Sequence, residues 1–327
     1  MRDTQREHDS RSGPHSGPMR RRAALLLLVS IAAVPVICGA GLPPRLDSQS
    51  TPASGSESVS ISLPRFEGSV KFLVMGDSGS GSRRQFELAD KMVAARAQFP
   101  FEFAVMLGDN LYGRESPSAY VDRFERPYKG LLDEGVEFFA SLGNHDSPNQ
   151  RMYKRFNMEG HRYYSFSRGP VEFFVMDSTY MDRVQLAWLE RELDGSRARW
   201  KIAYGHHPLY SSGERHGSEL DLRALVEPLF VKFGVDVVLA GHEHFYERLN
   251  PQRGIYYFTS GAAGKLRKGN IRRGALTAAG YDQDLSFMLM EIEGDELHFQ
   301  VIARSGATVD SGVVARPADP PRPSPSS

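Results

Sequence analysis

The sequence predicts an α/β fold on three observations. Short apolar runs each stop at a glycine, helical periodicities lie between them, and the C-terminal stretch is patterned as a hairpin. The runs are Val70–Met75 before Gly76-Asp77, Phe103–Leu107 before Gly108-Asp109, and Phe138–Leu142 before Gly143-Asn144-His145-Asp146. Ile202–Tyr204 before Gly205-His206 and Val235–Ala240 before Gly241-His242-Glu243-His244 complete the series. Runs this short, rich in Val and Phe and bounded by Gly, mark buried strands rather than helices.

Taken from the N-terminus, Arg20, Arg21 and Arg22 precede an apolar run from Ala23 to Ala40 broken by Ser30, Pro35 and Gly39. A basic stretch, an apolar core and small residues (Cys38-Gly39-Ala40) form the pattern of a signal peptide, so residues 1–41 are expected to direct export. The run is also long enough for an uncleaved anchor, the one route to a membrane the sequence offers. The expected location is therefore periplasmic, secreted or anchored outside the cytoplasm. Residues 42–64, with Pro43, Pro44 and several serines, read as a linker. Residues 65–316 form the expected catalytic domain, and 317–327, rich in Pro and Ser, a disordered tail.

Within the domain, Phe86, Ala89, Met92, Val93 and Ala97 keep helical spacing, as do Leu186, Leu189 and Leu193. Leu222, Leu225, Val226, Leu229 and Phe233 do the same, with Asp182 an expected N-cap and Gly195 and Gly234 expected stops. Phe287–Glu293, a Gly294-Asp295 turn and Leu297–Ala303 predict a hairpin, and Thr308–Val314 a third strand. The sheet arrangement is therefore mixed. Formal charge is balanced, 40 Lys+Arg against 40 Asp+Glu, which gives no electrostatic case for a nucleic-acid partner. Cys38 is the single cysteine, so thiolate sites are excluded from the domain and the ligands left for a metal are His, Asp, Asn and Tyr.

In an α/β fold, ligands bind beyond the carboxyl ends of strands, where all five polar clusters would lie. One Gly-Asp is usually only a turn. Five such clusters at successive strand ends would gather two Asp, one Asn, three His and one Tyr, a hard set suited to Fe, Mn or Zn. The order Gly76-Asp77, Gly108-Asp109-Asn110-Leu111-Tyr112, Gly143-Asn144-His145-Asp146, Gly205-His206, Gly241-His242-Glu243-His244 resembles the five-block pattern of calcineurin-like metallophosphoesterases. Tyr112, three residues after Asp109, narrows the resemblance to purple acid phosphatases of the small, tartrate-resistant type.

That resemblance implies two mixed β-sheets packed face to face and flanked by helices. It implies that Asp77, Tyr112 and His244 hold a ferric ion and that Asn144, His206 and His242 hold a divalent one (Fe2+, Zn2+ or Mn2+), with Asp109 bridging. It also implies hydrolysis of phosphomonoesters by attack of a metal-bound hydroxide. His145 would stabilise the transition state or protonate the leaving group, and His216 would be a second active-site histidine. Asp146 is read as closing its turn. The alternatives are a phosphodiesterase or nucleotide hydrolase on the same ligands, and a secreted module that binds metal or phosphate without catalysis. A monomer is expected. The basic run Lys265, Arg267, Lys268, Arg272 and Arg273 reads as a solvated loop. Two departures from the family stand out. Ser78 replaces an aromatic residue, and the segment Asp177–Gln185 is short where mammalian members carry a long insert.

Overall fold

Two mixed sheets divide the strands, and the glycine-terminated runs are shared between them. The computed structural model describes residues 58–316. The expected signal segment, most of the linker and the C-terminal tail lie outside these residues. The first sheet holds β1 (Val70–Met75), β2 (Phe103–Met106), β3 (Glu137–Ala140), β11 (Ser286–Glu293), β12 (Glu296–Ala303) and β13 (Thr308–Ala315). Their order is β13-β12-β11-β1-β2-β3. The second holds β4 (Tyr164–Arg168), β5 (Val171–Val175), β6 (Trp200–Tyr204), β7 (Val237–Ala240), β8 (Tyr246–Leu249), β9 (Tyr256–Ser260) and β10 (Thr277–Tyr281). Its order is β10-β8-β9-β7-β6-β5-β4.

β1, β2 and β3 are parallel neighbours, and β11 joins β1 antiparallel. In the other sheet β5, β6, β7 and β9 run parallel. The expected hairpin is β11–β12, with β13 the third antiparallel strand.

The parallel strands are apolar on both sides because both of their faces are covered. Between the sheets, Phe72, Val74, Phe103 and Val105 pack against Phe173, Val175, Ile202, Tyr204, Val237 and Leu239. Each such ring or branched side chain stabilises the fold by roughly 1.5–3 kcal/mol. On the outer face of the first sheet, Leu73, Met75, Ala104 and Met106 meet Leu88, Met92 and Ala95 of α1 (Arg83–Arg96). Short helices α2 (Pro117–Tyr120) and α3 (Lys129–Asp133) lie along the chain between β2 and β3. On the outer face of the second sheet, Phe174, Ala203 and Val238 meet α4 (Arg183–Gly195) and α5 (Leu220–Phe233) through Leu189, Leu193, Val226 and Phe230. The layers are helix, sheet, sheet, helix.

Asp182 caps α4 by accepting from the Gln185 N–H at 2.8 Å, and Gly234 ends α5 in the left-handed region, both as the sequence predicts. One boundary differs. Residues 58–64, read as the end of a linker, pack on the domain, with Val59 and Leu63 buried. The Ser62 N–H donates to Gln300 Oε1 at 2.9 Å. Among the described residues no helix is long and apolar enough to cross a membrane.

Candidate metal centre

Each expected ligand leaves its strand through a turn that holds another. Asp77, Asp109 and His242 adopt positive φ (55°, 52° and 67°), a conformation that non-glycine residues reach at roughly 1–2 kcal/mol each. Strain of this kind persists where neighbours over-determine it. Here the Asp77 N–H donates to the Gly108 carbonyl at 3.0 Å and the Gly241 N–H to the His206 carbonyl at 2.9 Å. The His242 N–H donates to Asp77 Oδ2 at 2.8 Å. β1 and β2 in one sheet and β6 and β7 in the other are thus stitched together at their C-terminal ends.

Two donor sets result. In the first, Tyr112 Oη lies 2.9 Å from Asp77 Oδ1 and 3.1 Å from His244 Nε2, and that nitrogen lies 3.2 Å from Asp77 Oδ1. In the second, Asn144 Oδ1 is 2.9 Å from His206 Nε2 and 3.0 Å from His242 Nδ1, and the two nitrogens are 3.2 Å apart. Asp109 lies between the sets. Its Oδ1 is 3.5 Å from His206 Nε2, and Asp77, Asp109 and His206 offer ligand atoms all within 4.8 Å of one another.

The donor chemistry fits cations. His206 Nδ1–H donates to the Leu107 carbonyl at 2.8 Å, which fixes the tautomer and leaves Nε2 with a lone pair. Three acceptor atoms of the second set therefore converge with at most one proton among them. Such an arrangement repels itself unless a positive ion occupies the middle.

Electrostatics agrees. Burial, and then the charge of Asp109, holds the Asp77 carboxyl well above its ordinary range. Burial holds His206 well below the usual imidazole value, takes His242 down to about 2 with help from His206, and His244 to about 4 with help from Arg267. Burial, then Asp77, also raises Tyr112, so ionising this phenol needs a highly charged ion bonded to it.

A pH dependence follows. Chelator-treated protein keeps these rings neutral when folded, while the unfolded chain protonates histidine below 6.5. The unfolded state then binds more protons, so stability falls as pH drops from 6.5 towards about 4. Asp77 and Asp146, whose raised carboxyls take up protons in the folded state over the same range, offset part of this loss, so the expected net drop in Tm is only a few degrees, at about 2–4 °C for each kcal/mol lost. Ring NMR signals of the chelator-treated protein that titrate at the free imidazole midpoint would contradict the neutral-ring assignment.

The other sequence candidates are present at the same edge. His145, exposed, donates its N–H to Asp109 Oδ1 at 3.0 Å and sets its ring 5.2 Å from that of Tyr112. His216, also exposed, lies with its ring 4.3 Å from that of His242. Asp146 closes its turn. It accepts from the Gly143, Asn110 and Leu111 N–H groups at 2.9, 3.0 and 3.1 Å, which also fixes the Asp109–Tyr112 segment.

Three further groups join this edge. His207 stands 4.5 Å from His242 ring to ring and shares Ser178 Oγ, at 2.9 Å from its Nδ1. Its adjacency to His206 was a signal, because the chain bends after β6 and strand alternation no longer separates the pair. Glu243, fully buried between two ligands, accepts the Gly217 N–H at 2.9 Å and so holds the His216 loop. The third is the basic run, which is not simply solvated. Lys265 sits 4.5 Å over the Tyr112 ring, and Arg267 reaches Glu243 at 3.7 Å. Only packing reveals this.

The sequence model of the Calcineurin-like phosphoesterase family matches residues 70–246, more than half of the chain. Tartrate-resistant acid phosphatase type 5 of Oryctolagus cuniculus is 27% identical over 249 residues, covering 62% of this chain and 76% of that protein. Purple acid phosphatase 17 of Arabidopsis thaliana is 26% identical over 296 residues, covering 75% and 87%. The structure of purple acid phosphatase PPD1 from yellow lupin (Lupinus luteus) seeds superposes with a TM-score of 0.64 at 18% identity, over 78% of this chain and 55% of that one, a likeness of fold. Family membership implies a dinuclear metal centre, for which the His and Asp groups above are available. The chain belongs to the calcineurin-like phosphoesterases and is a hydrolase of phosphoric ester bonds, resembling purple acid phosphatases.

Proposed function

We propose that this protein is a phosphomonoesterase of the acid phosphatase type that acts after export. In this reading Asp77, Tyr112 and His244 hold a ferric ion, Asn144, His206 and His242 hold a divalent one (Fe2+, Zn2+ or Mn2+), and Asp109 serves both. The observation that supports it is the pair of three-donor sets, each closed within 3.2 Å, with Asp109 between them. Bound there, the ions would supply Lewis acidity to the phosphate and to the attacking water. The chain supplies the rest. His145, anchored by its N–H on Asp109 and open to solvent, hands a proton to the departing oxygen. His216, lowered from the usual imidazole value by partial burial and then by Arg267, stays neutral further into the acid range and orients the phosphate by hydrogen bonding.

A second reading, diester hydrolysis, draws on one observation. A cleft of about 680 Å³ lined by Pro148, Arg151, His161, Arg162, Tyr163 and Tyr180 lies between the segments that follow His145 and Ser178, beside the short Asp177–Gln185 stretch. It offers room for a larger ester. The test compares p-nitrophenyl phosphate with bis-p-nitrophenyl phosphate at acidic and neutral pH, alongside the visible spectrum. Monoester turnover at acidic pH is expected, with a charge-transfer band that Tyr112→Phe abolishes. Preference for the diester at neutral pH would move the protein to the second reading. A colourless, manganese-dependent enzyme would remove iron from the proposal, and metal binding without turnover would leave only a binding module.

A further inference from the structure

The basic segment from Lys265 to Arg273 is held rigidly against the metal centre, and its charges separate into two groups. A Cβ at Gly264 would come within 2.2 Å of the Ser78 carbonyl, and one at Gly261 within 2.2 Å of the Glu243 carbonyl, so glycine at both positions lets this loop lie directly on the ligand-bearing turns. The Ala263 N–H donates to the Gly76 carbonyl at 3.1 Å and the Arg267 N–H to the His244 carbonyl at 3.0 Å. Beyond that contact, Arg272 pairs with Glu214, Arg273 donates to the Gly280 carbonyl, and Lys268 is exposed. Lys265 and Arg267 are different. Among the described residues Lys265 makes neither hydrogen bond nor ion pair, and its ammonium rests 4.5 Å from the centre of the Tyr112 ring. Arg267 is only 24% exposed, and its Nη1 is buried without a hydrogen bond, 3.7 Å from Glu243 Oε2.

Lys265 lies against the ring of Tyr112 and the Arg267 backbone is hydrogen-bonded to that of His244, so the field of both cations reaches the first donor set. The same field opposes any metal ion in the first donor set. Glu243, 3.7 Å away, offsets part of the Arg267 charge, but Lys265 has no ion-pair partner among the described residues, so an anion fits beside it, and a monoester's single phosphate would already be engaged by the ions. We infer that Lys265 and Arg267 form a second anion subsite, at the lip of the metal centre, that receives a phosphate group carried by the leaving group of the substrate. This rests on the phosphoesterase reading above. In the simplest such substrate, pyrophosphate, the water oxygen bonds to the attacked phosphorus as the bridging P–O bond breaks. The bridging oxygen leaves with its electron pair on the second phosphate, and the water's protons end one on a product phosphate and one in solvent.

The test uses the full chain, metal-loaded, and measures kcat/KM for inorganic pyrophosphate and for p-nitrophenyl phosphate. Lys265→Met is expected to lower the ratio of the first to the second by about 10- to 100-fold, mainly through KM, as loss of a charge-assisted hydrogen bond implies. Lys265→Arg should restore most of it, and Lys268→Met, exposed on the same loop, should leave the ratio unchanged. A ratio unaltered by Lys265→Met would overturn the subsite and reduce Lys265 to a cation–π contact with Tyr112. Wild-type turnover of p-nitrophenyl phosphate with pyrophosphate neither hydrolysed nor inhibitory would overturn it as well. Inactivity on both compounds would count against the phosphoesterase reading itself. Calorimetry of pyrophosphate against orthophosphate binding would then judge the subsite separately, and equal affinities would end it.

Discussion

Asp109→Asn is expected to lower kcat by about 10³-fold or more while making the metal-free protein more stable. The first effect follows from position. Asp109 has its Oδ1 3.5 Å from His206 Nε2 and accepts the His145 N–H at 3.0 Å, so it touches the second donor set and the candidate acid together. Asparagine keeps the shape but removes the charge and turns an N–H donor towards lone pairs. Losing several kcal/mol of transition-state charge stabilisation, together with one or both ions, corresponds to that drop in rate. The second effect follows from repulsion. The charge of Asp109 is among the causes that raise both the Asp77 and the Asp146 carboxyls, the latter to about 7. Deleting that charge relieves both, so Tm of chelator-treated variant should exceed that of chelator-treated wild type by roughly 2–4 °C for each kcal/mol relieved. Activity assays, metal analysis and calorimetry on the same preparations check both halves. A variant that is both less stable and partly active would mean that Asp109 serves the turn rather than the metal.

The sequence made the parallel strands and the ligand set legible for one physical reason. Strands covered on both faces must be apolar throughout, so β1, β2, β3, β6 and β7 stand out as runs, and the change to polar residues marks their ends, where the ligands lie. Which strands are neighbours is a different question. The five tips belong to two sheets, because strand order depends on crossovers that no local run encodes. Strands with mixed content escape altogether. β8 reads Tyr-Glu-Arg-Leu, and its Glu247 is tolerated in the interior because it accepts the Ser212 N–H at 2.9 Å and the Thr277 hydroxyl at 3.0 Å. β10 is small and half-buried, with nothing to distinguish it from a loop. The contributions of Glu243, Lys265 and Arg267 were illegible for a similar reason. Their partners lie 26 residues away in the Glu243 case, and across the loop packing in the others.

Gly143→Ala is expected to remove activity almost as fully, without touching a ligand. A Cβ at Gly143 would lie 2.3 Å from the Asp109 nitrogen and 2.3 Å from Asp109 Oδ1, distances that no side-chain adjustment relieves because one of the atoms is backbone. Neither side can yield freely. The Gly143 N–H is held by Asp146 at 2.9 Å, and Asp146 also holds the Asn110 and Leu111 N–H groups next to Asp109. The methyl group must therefore drive the β2 and β3 turns apart, carrying Asp109 away from Asn144 and His206. A displacement near 1 Å costs about 10²-fold in rate even where the chemistry is intact, and overpacking of this kind costs about 1–3 kcal/mol of stability. The companion variant is Gly195→Ala at the end of α4, where an added Cβ meets nothing within 4 Å. There the loss of unfolded-state freedom should raise stability by about 0.4–1 kcal/mol and leave kcat as it was. Measured together, kcat and Tm distinguish the two glycines. If Gly143→Ala retained wild-type turnover, the turns would be more compliant than their mutual hydrogen bonding implies, and the fixed placement of Asp109 between the donor sets would have to be given up.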